Sequence, residues 1–211
     1  MDQAAVFTGD LIGSTKVEPV KVDLAMAALR KASMSIGSWE DRDCSFTRFR
    51  GDGWQIHIAN PKWALRAALL MTAELRGSGI GLSTRISIGT GTVDRLGVEG
   101  LSGASGEAFT ISGHGLDHMP KARRITIAGT QGMPWEKAVV ELVEWVSGRW
   151  TREQAEAVSL SLGMMPWPKE RIAKQMGISR QALEARLKGS GLASMSAALA
   201  AFEGMTCGGV L

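Results

Sequence analysis

The chain has 211 residues, of which 24 are basic and 21 acidic, with a formal net charge of +3 and 45% hydrophobic residues. This length suits one large domain or two small ones, and the hydrophobic content excludes a wholly disordered chain. The two Cys are too few for a disulfide framework and too far apart for a zinc site, and no apolar run is long enough to cross a bilayer. We therefore expect a soluble, cytoplasmic protein without a membrane partner.

The first 130 residues predict strands and helices in the order strand, helix, hairpin, helix, strand, helix, strand. Apolar residues alternate with polar ones on both sides of Gly51-Asp52-Gly53, which is typical of a hairpin. Helical spacing of apolar residues appears over 19–36, 62–76 and 106–119, and the remaining strands are predicted at 4–8, 82–88 and 124–128. This order favours an α+β, ferredoxin-like (split βαβ) fold: a mainly antiparallel sheet with its helices packed on one face.

Every segment after residue 134 reads as helix, because no further alternating run appears. Thr151 with Gln154 three positions later is typical of a capping box at a helix start. We place the boundary between two domains near residues 129–133. The prediction is an α+β domain at 1–130 and an all-helical domain at 131–211.

Residues 169–188 have the spacing of a helix-turn-helix. Ala173 sits where two helices must approach closely, Gly177 supplies a left-handed turn residue, and Leu183 lies on the buried face of the second helix. Ser179 is the expected N-cap of that helix, whose first residues would reach base edges in DNA. The predicted DNA-binding residues are Lys169, Lys174, Ser179, Arg180, Gln181, Glu184, Arg186 and Lys188.

The charge of this segment supports DNA as a partner. Six basic and two acidic residues give residues 169–188 a net charge of +4, against +3 for the whole chain, so the remaining residues sum to −1. Such a basic patch neutralises phosphates. The alternative is an ordinary pair of helices with a solvated basic face.

Two carboxylates, Asp10 after the first strand and Asp52 in the hairpin tip, are predicted to meet at one end of the sheet. Converging carboxylates suit Mg²⁺ or Mn²⁺ bound together with substrate phosphates. The alternative is that Asp52 is only a turn residue and Asp10 only caps the following turn. The residues predicted to bind a nucleotide are Gly13, Ser14, Thr15 and Arg50.

The segments 7–15, 50–53 and 85–91 resemble the metal-binding strand, the hairpin and a later strand of class III nucleotidyl cyclases. That resemblance implies a cyclase-like fold with the two metal aspartates at Asp10 and Asp52. Almost the whole chain resembles the SatD family, in Gly9-Asp10, Arg50-Gly51-Asp52, residues 88–91 and 105–109, and the helix-turn-helix. This second resemblance implies a DNA-binding or regulatory role.

The chain departs from the cyclase pattern in the helix after Gly106. Cyclases of that class carry there an Asn and, one turn later, an Arg that stabilise the transferring phosphate, whereas the matching positions here are Thr110 and His114. A neutral His lacks the permanent charge and paired donors of Arg. Together with Arg48, these two residues are the candidate catalytic residues, with Arg50 or Lys16 as further cations that could substitute.

The sequence thus predicts a DNA-binding regulatory protein whose N-terminal domain binds a metal and a nucleotide. A homodimer is expected by analogy, because helix-turn-helix proteins usually read two half-sites. The alternatives are a metal-dependent nucleotidyl cyclase or nucleotidyltransferase and a catalytically inactive scaffold.

Overall fold

Five strands form one sheet in the order β2, β3, β1, β4, β5 in the computed structural model, which describes residues 3–39, 44–97, 100–129, 134–164 and 166–205. The strands are β1 (Gln3–Ile12), β2 (Phe46–Phe49), β3 (Gly53–Ile58), β4 (Ser83–Thr92) and β5 (Ile125–Gly129). The helices are α1 (Pro19–Gly37), α2 (Ala64–Gly77), α3 (Glu107–Asp117), α4 (Pro134–Ser147), α5 (Arg152–Ser161), α6 (Lys169–Gln175), α7 (Arg180–Gly189) and α8 (Leu192–Met205).

The strand pairing confirms the mainly antiparallel α+β sheet. β1 pairs antiparallel with both β3 and β4, and β2 pairs antiparallel with β3. β5 alone pairs in parallel, with β4. This exception follows from the connection, since α3 carries the chain back to the starting end of β4.

The two faces of the sheet carry different helices because strand side chains alternate. Phe7, Ile56 and Ile88 lie on one face, in the main hydrophobic cluster with α1 and α2. On the other face Thr8 shares a 2.8 Å hydrogen bond with Ser112 of α3. The expectation that the helices pack on one face is therefore wrong for α3.

Small residues explain the position of α3. A Cβ at Gly89 of β4 would lie 2.3 Å from the carbonyl oxygen of Ala108 and 2.6 Å from the backbone nitrogen of Ser112. The missing side chain lets the helix backbone contact the strand directly. This face is therefore lined by small and polar residues rather than by large apolar ones.

The helices after β5 pack against the sheet domain as well as against each other. The main hydrophobic cluster includes Val140 of α4, Val158 of α5 and Phe202 of α8 together with residues of α1 and α2. A second, smaller cluster of Ala157, Ile172, Ala173 and Leu183 lies within α5–α7. Most of the predicted linker, residues 130–133, lies outside the described residues, and the two-domain division stays a prediction.

No helix in the described part of the chain is both long enough and apolar enough to span a membrane.

Candidate functional site

The end of β1 and the tip of the β2–β3 hairpin lie side by side. Asp10 pairs with Gly53, the residue that follows Asp52, and the backbone nitrogen of Leu11 donates to the carbonyl of Asp52 at 3.1 Å. The antiparallel register of β1 and β3 therefore brings the two predicted metal aspartates to one end of the sheet.

The backbone around Asp52 is held in an unusual conformation. Arg50 has a φ of 49° and Gly51 a φ of 84°, both in the left-handed region that non-glycine residues rarely adopt. Gly13 also has a positive φ, 82°, and begins a single turn in which the Ser14 hydroxyl donates to Asp52 Oδ2 at 2.5 Å. Two tight turns thus meet through one hydrogen bond.

Asp10 already has a cationic partner. Arg85 lies opposite it on β4, its Nε donates to Asp10 Oδ1 at 2.9 Å, and its Nη2 contacts Oδ2. The hydrogen bond that Arg85 donates to the Asp10 carboxylate raises the pKa of the Arg85 guanidinium above its ordinary value. Because both side chains remain more than a quarter exposed, a cation approaching Asp10 from solvent competes with Arg85.

The chemistry of this end of the sheet fits a hard cation only in part. Two carboxylates and the Ser14 hydroxyl are oxygen ligands of the kind that Mg²⁺ and Mn²⁺ bind. In residues 3–39, 44–97, 100–129, 134–164 and 166–205 no group of three or more His, Cys, Asp and Glu is placed to hold a metal. A cation bound by Asp10 and Asp52 would therefore need water or substrate oxygens to complete its shell.

The candidate catalytic residues lie elsewhere. Arg48 forms an ion pair with Asp23 of α1 at 2.7 Å and donates to the carbonyl of Gly51. Thr110 and His114 are exposed on α3, on the side away from the sheet. Among the residues predicted for the nucleotide, Thr15 and Arg50 are exposed, as is Lys16, and only Ser14 contacts an aspartate.

Arg85 is the site residue that sequence reasoning missed. It occupies a polar position in the alternating segment 82–88, which the sequence alone assigns to the strand surface. The missing information was the register of β1 against β4, which pairs residues 75 positions apart.

The second candidate site is the pair of helices α6 and α7. Gly177 has a φ of 64°, and the backbone nitrogen of Ile178 donates to the carbonyl of Ala173 at 3.0 Å. Ser179 is the N-cap of α7, and its hydroxyl accepts from the backbone nitrogen of Ala182 at 3.1 Å. Leu183 is fully buried, so the opposite side of α7 faces solvent.

Ion pairs cover the start of α7. Arg180 contacts Glu170 at 2.6 Å and Glu184 at 3.2 Å, and Lys169 contacts Glu184 at 3.3 Å. The hydrogen bond from Arg180, followed by that from Lys169, lowers the pKa of Glu184. The other residues predicted to contact DNA are exposed or partly exposed, namely Lys174, Ser179, Gln181, Arg186 and Lys188.

Comparison with solved structures shows a distant similarity of fold. No protein-family model matches the chain, and no curated protein matches it. The fold is similar to the crystal structure of the guanylyl cyclase Cya2, with a TM-score of 0.41 and 17% identity over 60% of this chain and 74% of that chain. At this distance the similarity carries no argument about activity, and membership of the SatD family stays a prediction.

Proposed function

We propose that this protein binds duplex DNA, with α6 and α7 acting as a helix-turn-helix. The observation that carries the proposal is the packing of α5–α7 around Ala173 and Leu183, with the left-handed Gly177 between the helices and Ser179 as the cap of α7. This packing leaves the first turn of α7 exposed. A helix presented in this way fits the major groove.

The ion pairs at the start of α7 are compatible with this role. The side chains of Arg180, Glu170 and Glu184 are each more than 40% exposed, and ion pairs exposed to solvent contribute little to stability. Phosphate oxygens can therefore replace the carboxylates on Arg180 and Lys169 through charge-assisted hydrogen bonds. A homodimer would present two copies of α7 to half-sites about one helical turn apart.

Salt-dependent binding to duplex DNA tests the proposal. For the full chain and a duplex of about 30 base pairs, log K should fall linearly with log salt concentration, and Arg180→Gln should weaken binding and make the slope shallower by about one. Arg95→Gln removes an exposed arginine outside α6 and α7, whose guanidinium donates to the carbonyl of Gly103, and should change little. No binding by the wild type at about 50 mM salt would contradict the proposal.

A second function is supported by the contact between the Ser14 hydroxyl and Asp52 beside the Gly13 turn. We propose that Asp10 and Asp52 hold Mg²⁺ or Mn²⁺ together with the phosphates of a nucleotide. The cation would neutralise phosphate charge, and the backbone at Gly13 would allow close approach of the phosphates. In the enzymatic form of this proposal the protein is a metal-dependent nucleotidyl cyclase or nucleotidyltransferase.

Manganese binding, measured by electron paramagnetic resonance, distinguishes the role of the two aspartates from that of Arg85. Asp52→Asn should abolish binding, while Arg85→Gln should strengthen it several-fold because the competing cation is removed from Asp10. Lys31→Gln, which removes a cation paired with Glu74 on the surface, is the control for a general charge effect. Unchanged binding in Asp52→Asn would exclude the shared metal, and pyrophosphate release from a nucleoside triphosphate would identify the enzyme.

A further inference from the structure

A cavity of about 1450 Å³ lies between the C-terminal end of α2, the first residues of β4 and β5, and α4 with the turn that follows it. Small-molecule sites commonly occupy about 300–1000 Å³, so a ligand with several functional groups fits. Thr84 lines this cavity and also donates to the carbonyl of Asp10 at 2.7 Å. The side chains of Asp10 and Asp52 and the helices α6 and α7 are not part of the lining.

The lining of the cavity is strongly basic. Five arginines and two glutamates give it a formal net charge of +3. Arg123 holds both glutamates, with Glu141 at 3.4 Å and Glu144 at 2.9 Å. The other four arginines form no ion pair with any residue that the structure describes, namely Arg76, Arg124, Arg149 and Arg152.

These four arginines keep most of their donors for a ligand. Each donates through one nitrogen to backbone carbonyls: Arg76 to Gly148 at 3.1 Å, Arg152 to Gly77 at 3.4 Å, Arg149 to Trp145 at 2.8 Å, and Arg124 to Lys121 and Arg123 at 3.0 and 3.1 Å. Each guanidinium has five N–H groups in a planar fork, and such a fork binds phosphate with two parallel hydrogen bonds. Several unpaired guanidiniums around one cavity favour an anion with more than one charge.

The cavity also has an apolar wall. Trp145 and Leu142 of α4 line it and are 61% and 68% exposed, which is unusual for large apolar residues. The Arg149 guanidinium lies 3.5 Å from the centre of the Trp145 ring. An exposed indole beside unpaired cations suits a ligand that combines a flat aromatic group with several negative charges.

We propose that this cavity binds a nucleoside polyphosphate, with its base against Trp145 and its phosphates on Arg76, Arg124 and Arg152. Binding here needs no divalent cation, because both acidic residues of the lining are engaged by Arg123 and the arginines themselves neutralise the phosphates. This site is separate from the one proposed at Asp10 and Asp52, where a metal is required.

Calorimetric titration of the full chain with ATP in the presence of EDTA tests the proposal. ATP should bind with 1:1 stoichiometry, and the double substitution Arg76→Gln with Arg152→Gln should weaken binding more than about tenfold, the loss expected for two charged hydrogen-bond donors. Trp145→Ala should also weaken binding. Asp52→Asn and the matched control Arg95→Gln should leave it unchanged, and circular dichroism with thermal unfolding should show that each variant folds.

Five results would overturn the proposal. They are no binding of ATP in EDTA, loss of binding in Asp52→Asn, an equal loss in Arg95→Gln, an equal affinity for inorganic tripolyphosphate, and displacement of ATP by duplex DNA. Equal affinity for tripolyphosphate would mean that no base is recognised, and displacement by DNA would assign these arginines to the DNA-binding surface. Loss of binding in Asp52→Asn would move the nucleotide to the metal site, so failure here is distinguishable from failure of the functions proposed above.

Discussion

At the scale of single residues, Gly89 decides where α3 can lie. The strand backbone at this position contacts the helix backbone at Ala108 and Ser112, and neither can move as a side chain can. Gly113, on α3 itself, has no atom within 4 Å of the position that a Cβ would occupy. A side chain would therefore clash with backbone atoms at Gly89, whereas Gly113 has room for one.

Gly89→Ala should lower the free energy of unfolding by about 1–3 kcal/mol or more, because the added methyl overpacks a contact between two backbones. Gly113→Ala is the matched control and should raise it by about 0.5–1 kcal/mol, because alanine restricts the unfolded chain and favours helix. Urea unfolding followed by circular dichroism measures both. A stability of Gly89→Ala equal to the wild type would show that α3 does not pack against β4 in this way.

The ion pair of Asp10 and Arg85 also acts at this scale. A base whose pKa is raised on folding contributes stability below its unfolded pKa and loses it as pH rises through the folded value. For Arg85 the hydrogen bond to Asp10 raises a pKa that is already far above neutral pH. The stability that the Arg85 cation contributes is therefore constant across the neutral range. Asp10 remains paired with Arg85 there unless another cation displaces Arg85.

At the scale of elements, ion pairs connect α6 and α7 and determine which charged groups of α7 are available to a partner. Glu184 sits between Arg180 and Lys169, and its lowered pKa results from these two partners. A carboxylate with a depressed pKa contributes stability above its ordinary value of 4.5 and loses it as pH falls through the folded value. At neutral pH Glu184 is therefore paired with both Arg180 and Lys169.

Glu184→Gln should tighten DNA binding several-fold at neutral pH, because it removes a negative charge from α7 and releases Lys169 and one contact of Arg180. Glu153→Gln is the control, since it removes the same charge from an exposed glutamate of α5 whose pKa is lowered mainly by hydrogen bonds at its own helix start. Fluorescence anisotropy with labelled duplex measures both. Equal tightening in the two variants would indicate net charge rather than these ion pairs.

At the scale of the whole molecule, one hydrophobic cluster joins the sheet to the helices that follow it. The α2 and α5 backbones are close enough that a Cβ at Gly77 would lie 3.0 Å from Glu156. Arg66 of α2 pairs with Glu203 of α8 at 2.6 Å, with both side chains less than a fifth exposed. Elements on both sides of the predicted domain boundary therefore pack against α2.

The full chain should unfold in one cooperative transition, because this shared cluster couples the two parts. Tryptophan fluorescence and circular dichroism should give coincident urea curves. A fragment of residues 1–129 should be insoluble or poorly folded, because α2 loses its contacts with α5 and α8. Two separate transitions, with a stably folded fragment, would instead support two independent domains.

Local chemistry was enough to predict much of this molecule. The apolar spacing of 19–36 predicted α1 within one residue of its observed end, and the alternation around Gly51-Asp52-Gly53 predicted the β2–β3 hairpin. The capping box at Thr151, the turn at Gly177 and the N-cap at Ser179 were also predictable, since they depend on neighbours within one or two helical turns.

The sequence by itself therefore determined the order and type of the elements, the concentration of positive charge at 169–188, and the position of Asp52 at the tip of a hairpin. Only the tertiary structure decided that α3 packs on the opposite face, that Arg85 holds Asp10, and that arginines from several elements line one cavity. The reason is that helices, turns and hairpins depend on residues close in the chain, whereas these contacts depend on strand register and on which surfaces meet, which no local pattern encodes.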